Sequence, residues 1–596
     1  MPFRPALRRL AALALLLAPL ARAATQPAAA PLMPIDDVRH GQTGEVWTVF
    51  RGVQPEPFHV QVTGVLHNAL GPGKSLIVCE LTDERVQKMG AVAGMSGSPL
   101  YIDGKLAGVL AYQIQRFETV RYAGFTPIAD MIEVSSLPEA PKDIGVPIPL
   151  PGLPRENAKT RSTAGMPDWA PLTPVFSASG LSPDVAALLE PQLAPLGISF
   201  TSLGGSRADT STSNTGATPR DLAPGDAVAV ALSVGDISLA GTGTVSHVDG
   251  KRVLAFGHPM MRLGATELPM TSAEVLTILP SQFNSIKVSN TGGIIGTFSQ
   301  DRLSAIYGEL GRQPPLVPVE IELPQRLGRQ SLRFAIVRHE QILPAIASAG
   351  LTQAVLGSNE SGLGAKGFRI TTEVSFPNRE PIAMDRVYAG PNGFATGLAE
   401  FNRDLTQWLF NPFERIYPDH IAFRIEETEE IPVGNLENLQ VSRTEATPGE
   451  TVSVTLSWRG YQRPASAETV RIPIDPAWAG RDLEIVVAPG RALDEMTGRP
   501  RLLPMSQLRS FDDYAEALRD LRETDGLYVA VVDRTSFFVD QTRATAELPG
   551  SFERIARGAD ESRFQRRESL ETLWEQRLLP GLLFVSTVRR PLKITD

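Results

Sequence analysis

The run Gly94-Met95-Ser96-Gly97-Ser98-Pro99, with its apolar flanks, decides how this chain is read. Gly90-Ala91-Val92-Ala93 precedes it, and Leu100-Tyr101-Ile102-Asp103-Gly104-Lys105-Leu106-Ala107-Gly108-Val109-Leu110 follows. The tail reads as a β-hairpin, because two apolar runs bracket an Asp-Gly turn. A serine is thus held between glycines, and a proline feeds the chain straight into a strand. Glycines permit a tight turn with inward amides, the arrangement that stabilises a developing oxyanion in acyl transfer. On that logic the Gly94 and Ser96 amides form the hole and the Ser96 hydroxyl attacks. The competing reading is an ordinary Gly/Ser surface turn.

The longer string resembles the nucleophile segment of trypsin-like peptidases, a Gly-x-Ser-Gly-Gly/Ser-Pro turn followed by a hairpin. It is most similar to the SpoIVB-type serine peptidases, in which Met-Ser-Gly-Ser-Pro is characteristic. Pro34-Ile35-Asp36-Asp37-Val38, Gly44-Glu45-Val46-Trp47-Thr48-Val49-Phe50 and Phe58-His59-Val60-Gln61-Val62 extend the likeness over roughly residues 33–135.

A nucleophilic serine needs a base and a group to orient it. Of the seven histidines, His258 stands out, lying after Val253-Leu254-Ala255-Phe256 and between Gly257 and Pro259. The residues alone allow either a base held at a strand end or a histidine that only caps the strand. The run from Gly241-Thr242-Gly243-Thr244-Val245 to Gly257-His258 resembles the segment that carries the family's catalytic histidine. Thr82-Asp83-x-Arg85 resembles the family's acid-bearing segment, which makes Asp83 the implied third member. A carboxylate paired with Arg85 is the alternative for Asp83, and Asp226 and Asp236 are rivals from the histidine module. In the family the histidine precedes acid and serine. Here Asp83 and Ser96 come first, the order a circular permutation gives; triad geometry does not depend on chain order.

Composition narrows the class. The chain has 596 residues, enough for several cores, with 42% hydrophobic and 21% charged residues, as in folded globular proteins. Arg4, Arg8 and Arg9, the apolar Leu10–Leu17 run and Ala21-Arg22-Ala23 read as a signal peptide over residues 1–23. The net charge of -9, more negative once that segment's arginines are removed, argues against nucleic acid or anionic lipid as a partner. The expectation is an exported protein, periplasmic or secreted, with no transmembrane segment in the mature chain. Cys79 is the only cysteine, so no intrachain disulfide or thiolate cluster can form; it reads as a core residue. No metal-site spacing, phosphate loop or dinucleotide fingerprint occurs, so no metal or other cofactor is expected.

The expected fold class is mainly β: a trypsin-like core of two β-barrel modules in permuted order, then an α+β region and an Ig-like β-sandwich. Residues 34–136 form the barrel module with Ser96, and 137–220 a Pro- and Ser/Thr-rich linker with a short helix. Residues 221–338 are the β module with His258. An α+β region follows over 339–430, the sandwich over 431–495, and a C-terminal α+β region over 496–596, where Phe564 to Leu578 reads as helix. The resemblance implies a serine endopeptidase cutting protein or peptide substrates through an acyl-enzyme. The alternative is an inactive peptidase-fold scaffold binding an envelope partner through its C-terminal domains.

Overall fold

A computed structural model describes residues 30–114, 120–138, 169–172, 175–201, 203, 205–206, 222–281, 285–322, 331–356, 367–411, 413–497, 510–540, 543–546 and 565–595. The expected signal peptide and most of the expected linker lie outside these residues.

The chain is mainly β. The first six strands are β1 (Thr43–Thr48), β2 (Glu56–Gly71), β3 (Lys74–Leu81), β4 (Pro99–Ile102), β5 (Lys105–Ile114) and β6 (Tyr122–Pro127). Their order is β4-β1-β2-β3-β6-β5, and pairing of β4 with β5 closes the sheet into a barrel. The hairpin between β4 and β5 turns on Asp103 and Gly104, both at positive φ, as its Asp-Gly signal requires. Phe58, Val60, Val62, Ile77, Cys79, Leu100, Leu110 and Phe125 fill the interior. Cys79 is therefore a core residue, with no exposed sulfur. A short helix, α1 (Glu84–Met89), precedes the serine turn. One further strand, β7 (Trp169–Pro171), lies against β5.

A second closed barrel follows. Its strands are β8 (Ala227–Gly235), β9 (Ser238–Asp249), β10 (Arg252–Ala255), β11 (Gly264–Leu279), β12 (Ile286–Asp301) and β13 (Ile306–Leu310). They run β8-β11-β12-β13-β10-β9 and close through β8 and β9. The two barrels share apolar seams. On one, Trp47, Tyr101 and Val109 meet Leu254 and Ala305; on another, Val49 meets Ala229 and Val275. Two packed barrels with the functional turn between them are what the trypsin-like expectation requires.

Three parts differ from the sequence reading. Strands Leu316–Glu322 and Ser331–Val337 lead out of the second barrel, and His420–Glu427, Gly367–Ser375 and Ile382–Ala389 continue the same sheet. The 339–430 region therefore shares the second barrel's core, with helices Ile342–Leu356 and Gly390–Leu409 packed on it. The sandwich expected over 431–495 is larger. Thr451–Gly460 and its neighbours face a second sheet of Asp482–Ala488, Leu527–Asp540 and Val588–Ile594 across one core of Val454, Leu456, Ile485, Val529 and Leu592. The segment expected as helix to Leu578 is a strand, Gln565–Leu578. It pairs antiparallel with Leu527–Asp540 over nearly its whole length, and that ladder overrides a helical spacing of Leu570, Leu573 and Trp574. No helix among the described residues is long and apolar enough to cross a membrane.

Candidate active site

The serine turn sits where the barrels meet, and the second barrel takes its carbonyls one after another. Lys287 N–H donates to Ala93 O at 2.9 Å and Thr244 Oγ1 to Gly94 O at 3.1 Å. Thr244 N–H donates to Ser96 O at 2.8 Å and Ser246 Oγ to Gly97 O at 2.9 Å. Within the turn, Met95 N–H and Ser98 Oγ close local bonds to Val92 O and Met95 O. Among the described residues the Gly94 and Ser96 amides donate no hydrogen bond. The carbonyls of the turn are thus held by the second barrel, while these two amides are left without a protein acceptor among the described residues.

Gly97 makes the docking possible. Its φ is +95°, and a Cβ there would lie 2.1 Å from Thr244 O and 2.5 Å from Phe256 N, both backbone atoms of the second barrel. Gly94 has φ +100°, and a Cβ on it would lie 2.9 Å from Lys287 Cβ. Both glycines are required by conformation and by close approach. Ser96 itself is fully buried, and its Oγ has no hydrogen-bond partner. A buried hydroxyl in that state costs on the order of 1–3 kcal/mol, a cost native chains concentrate at working sites.

His258 follows β10 at the same seam. Phe256, with φ +70°, packs its backbone on Gly97, and Thr126 Oγ1 of β6 donates to Gly257 O at 2.6 Å. The imidazole is fully buried. Its Nδ1 lies 2.9 Å from Pro259 O and its Nε2 3.0 Å from Leu172 O, just past β7. Burial, opposed by these two carbonyls and the charge of Asp301, holds the ring below its ordinary pKa. A neutral ring carries one hydrogen, so only one of the two contacts is a hydrogen bond at a time. His258 and Ser96 thus share the seam, but neither ring nitrogen is bonded to the Ser96 hydroxyl.

Asp83 goes elsewhere. It caps α1, accepting from Arg85 N–H at 2.9 Å, and both its oxygens receive the Arg85 guanidinium. Burial, the largest single influence, pushes its pKa up, but the Arg85 hydrogen bonds and charge, with a smaller contribution from His59, together hold the carboxyl below its usual range. The carboxylate of Asp83 is thus bonded within its own helix, the Arg85 pairing that stood as the alternative to an orienting role. Of its rivals, Asp226 accepts from Ala223 N–H and Asp236 from Arg333 N–H.

The carboxylate near His258 is Asp301, at the end of β12. It is buried and accepts from the amides of Met260, Met261 and Leu263, at 2.8, 2.8 and 3.1 Å. Those amides belong to the loop that begins at His258. The sequence reading missed Asp301; the signal was an acidic residue ending the strand that carries Gly296-Thr297-Phe298, in the same module as the histidine. It also missed Lys287, an amine buried without a charged partner among the described residues. Lys287 Nζ donates to Thr48 Oγ1 at 2.8 Å, and burial brings its pKa down to about 7. Among the described residues no group of three or more His, Cys, Asp or Glu gathers as a metal site.

The serine turn is therefore buried where two closed barrels meet. Residues 20–127 match the model described as SpoIVB peptidase S55, so that segment of the chain is similar to this family. The match covers the Ser96 barrel and supports a peptidase that acts on protein substrates. No curated protein matches the chain, and no solved structure does.

Proposed function

We propose that this chain is an exported serine endopeptidase of the SpoIVB type, with Ser96 as nucleophile and His258 as general base. The observation that carries the reading is the serine turn: its carbonyls are bound to the second barrel while the Gly94 and Ser96 amides remain free beside an unpartnered Ser96 Oγ.

In the reaction, Ser96 Oγ attacks the scissile carbonyl carbon and its proton passes to His258 Nε2. The Gly94 and Ser96 amides take the negative charge that develops on oxygen, each worth about 3 kcal/mol in such sites. The C–N bond breaks as the proton moves to the departing amine, leaving an ester on Ser96. Water then attacks, gives a proton to His258, and releases the acid and the free serine. Asp301 is the positioning carboxylate in place of Asp83: it fixes the loop after His258 and its negative charge favours the imidazolium formed in each step. The signal-like N-terminus supports export, and the C-terminal sandwich offers a surface for an envelope partner.

The test is fluorophosphonate labelling and casein hydrolysis by purified protein. Labelling at Ser96, with both signals lost in S96A and hydrolysis lost in H258A, is the expected result. A folded protein that stays unlabelled both as wild type and with Ala170→Pro, which loosens β7 where it lies over His258, would refute the assignment.

A further inference from the structure

β4 is short, and it leaves one side of β5 open just beyond the serine turn. Along that side Pro99 pairs with Val109, and Leu110 exchanges hydrogen bonds with the turn itself, its O accepting from Gly97 N–H and its N–H donating to Ser98 O. The next residues of β5, Ala111 to Ile114, are covered by the chain's own β7. Tyr112 pairs with Pro171, Gln113 with Ala170 and Ile114 with Trp169, all antiparallel. An added strand of this kind is how extended peptides bind to sheet edges.

The fit is specific at each position. Leu172 N–H donates to Ala111 O at 2.8 Å. Ala111 lies at the irregularity between Leu110 and Tyr112 in the β5–β6 ladder, so it stands outside that pairing. Pro171 stands between the Ala111–Leu172 and Gln113–Ala170 positions, where an antiparallel ladder asks for no N–H. Leu172 is 1% exposed and packs into the core of the first barrel. The Trp169 ring meets Tyr112 edge to face at 5.5 Å, and Tyr112 in turn meets His258. The Leu172 carbonyl lies against His258 Nε2 at 3.0 Å.

We propose that Trp169–Leu172 is an intrachain pseudosubstrate: it fills the acyl-side peptide site of this enzyme and must leave before another polypeptide can be cut. This rests on the peptidase reading given above. The strand is held unproductively. Its carbonyl faces the base, while the Gly94 and Ser96 amides that would polarise a scissile carbonyl donate to nothing among the described residues. Nε2 in donor form towards Leu172 O cannot at the same time accept the Ser96 proton. The occupant also states what it displaces: extended segments with a leucine-sized apolar residue on the acyl side of the cleaved bond, proline tolerated before it, and an aromatic ring three residues upstream.

The experiment uses the full chain carrying Ser96→Ala, so that binding is read without turnover. The probe is N-terminally fluorescein-labelled Trp-Ala-Pro-Leu amide, followed by polarisation. Two further variants loosen the strand: Leu172→Asp, which places a charge in the barrel core, and Ala170→Pro, which removes a ladder N–H and leaves Leu172 intact. The expected result is at least ten-fold tighter binding to either variant than to the parent, lost again when the probe's leucine is replaced by aspartate. Equal binding to parent and variants, or no binding to variants that keep the parent's circular dichroism, overturns the proposal. Hydrolysis of Trp-Ala-Pro-Leu coumarylamide with Ser96 restored is read separately. Tight binding without hydrolysis would sink the peptidase reading, and with it the pseudosubstrate role, and would leave Trp169–Leu172 as the cover of a peptide-binding sheet edge.

Discussion

Lys287→Met gives the sharpest test of the seam between the barrels. The amine is buried, and its one polar partner among the described residues is Thr48 Oγ1. Burial lowers its pKa from 10.5 to about 7. Above pH 10.5 the amine is neutral in folded and unfolded chains alike, and its burial is not penalised. As pH falls towards 7 the unfolded chain takes up a proton and the native chain does not, so native stability is lost across that window. At about 1.4 kcal/mol per pKa unit, the full loss is on the order of 5 kcal/mol. Methionine keeps the length of the stem against Gly94 and does not titrate, but it leaves the Thr48 hydroxyl without its donor, at about 1–2 kcal/mol. The variant should therefore be more stable than wild type by about 3 kcal/mol at pH 7, and slightly less stable near pH 10.5. Urea unfolding at several pH values, with hydrogen exchange followed in peptides spanning residues 285–301, reads the difference directly. A difference of constant size and sign from pH 7 to 10.5 would refute the reasoning.

Gly97→Ala forces a Cβ onto Thr244 O and Phe256 N at a φ of +95°; it should cost on the order of 3 kcal/mol and abolish fluorophosphonate labelling, measured by thermal melting and by labelling rate. Asp301→Asn removes the negative charge that raises the His258 pKa. Hydrolysis should fall by at least about 100-fold, with the acid limb of the kcat/KM profile moving to lower pH, and an unchanged limb would remove Asp301 from the site. Cys79 is buried and its thiol pKa is pushed up by burial. Iodoacetamide at pH 8 should leave the native protein unmodified and alkylate it fully in guanidinium; native alkylation would show that the barrel opens.

Local signals in the sequence carried the first barrel far. The Asp103-Gly104 turn, the apolar runs on either side and the Gly-Met-Ser-Gly-Ser-Pro string each speak for a hairpin after a tight turn, and the mainly β, two-barrel class follows from them. What escaped reading depends on contacts between distant residues. Asp301 looks like any acid at a strand end until the amides of Met260, Met261 and Leu263 converge on it. Asp83 looked like an orienter because its neighbours in sequence fit, yet Arg85, two residues on, holds its carboxylate. Gln565–Leu578 has helical spacing, and only the exposed side of Leu527–Asp540 makes it a strand. Trp169–Leu172 lies in a proline-dense stretch that reads as linker; nothing in its composition says that Ala111 O and a barrel core await it.

Because the carbonyls of Ala93, Gly94, Ser96 and Gly97 are each tied to residues between Thr244 and Lys287, the first barrel by itself carries the serine turn without its support. During synthesis from the N-terminus, Ser96 emerges about 150 residues before Thr244, its earliest partner across the seam. On the proposed peptidase reading, a chain assembled in that sequence has no competent serine until its second barrel has folded.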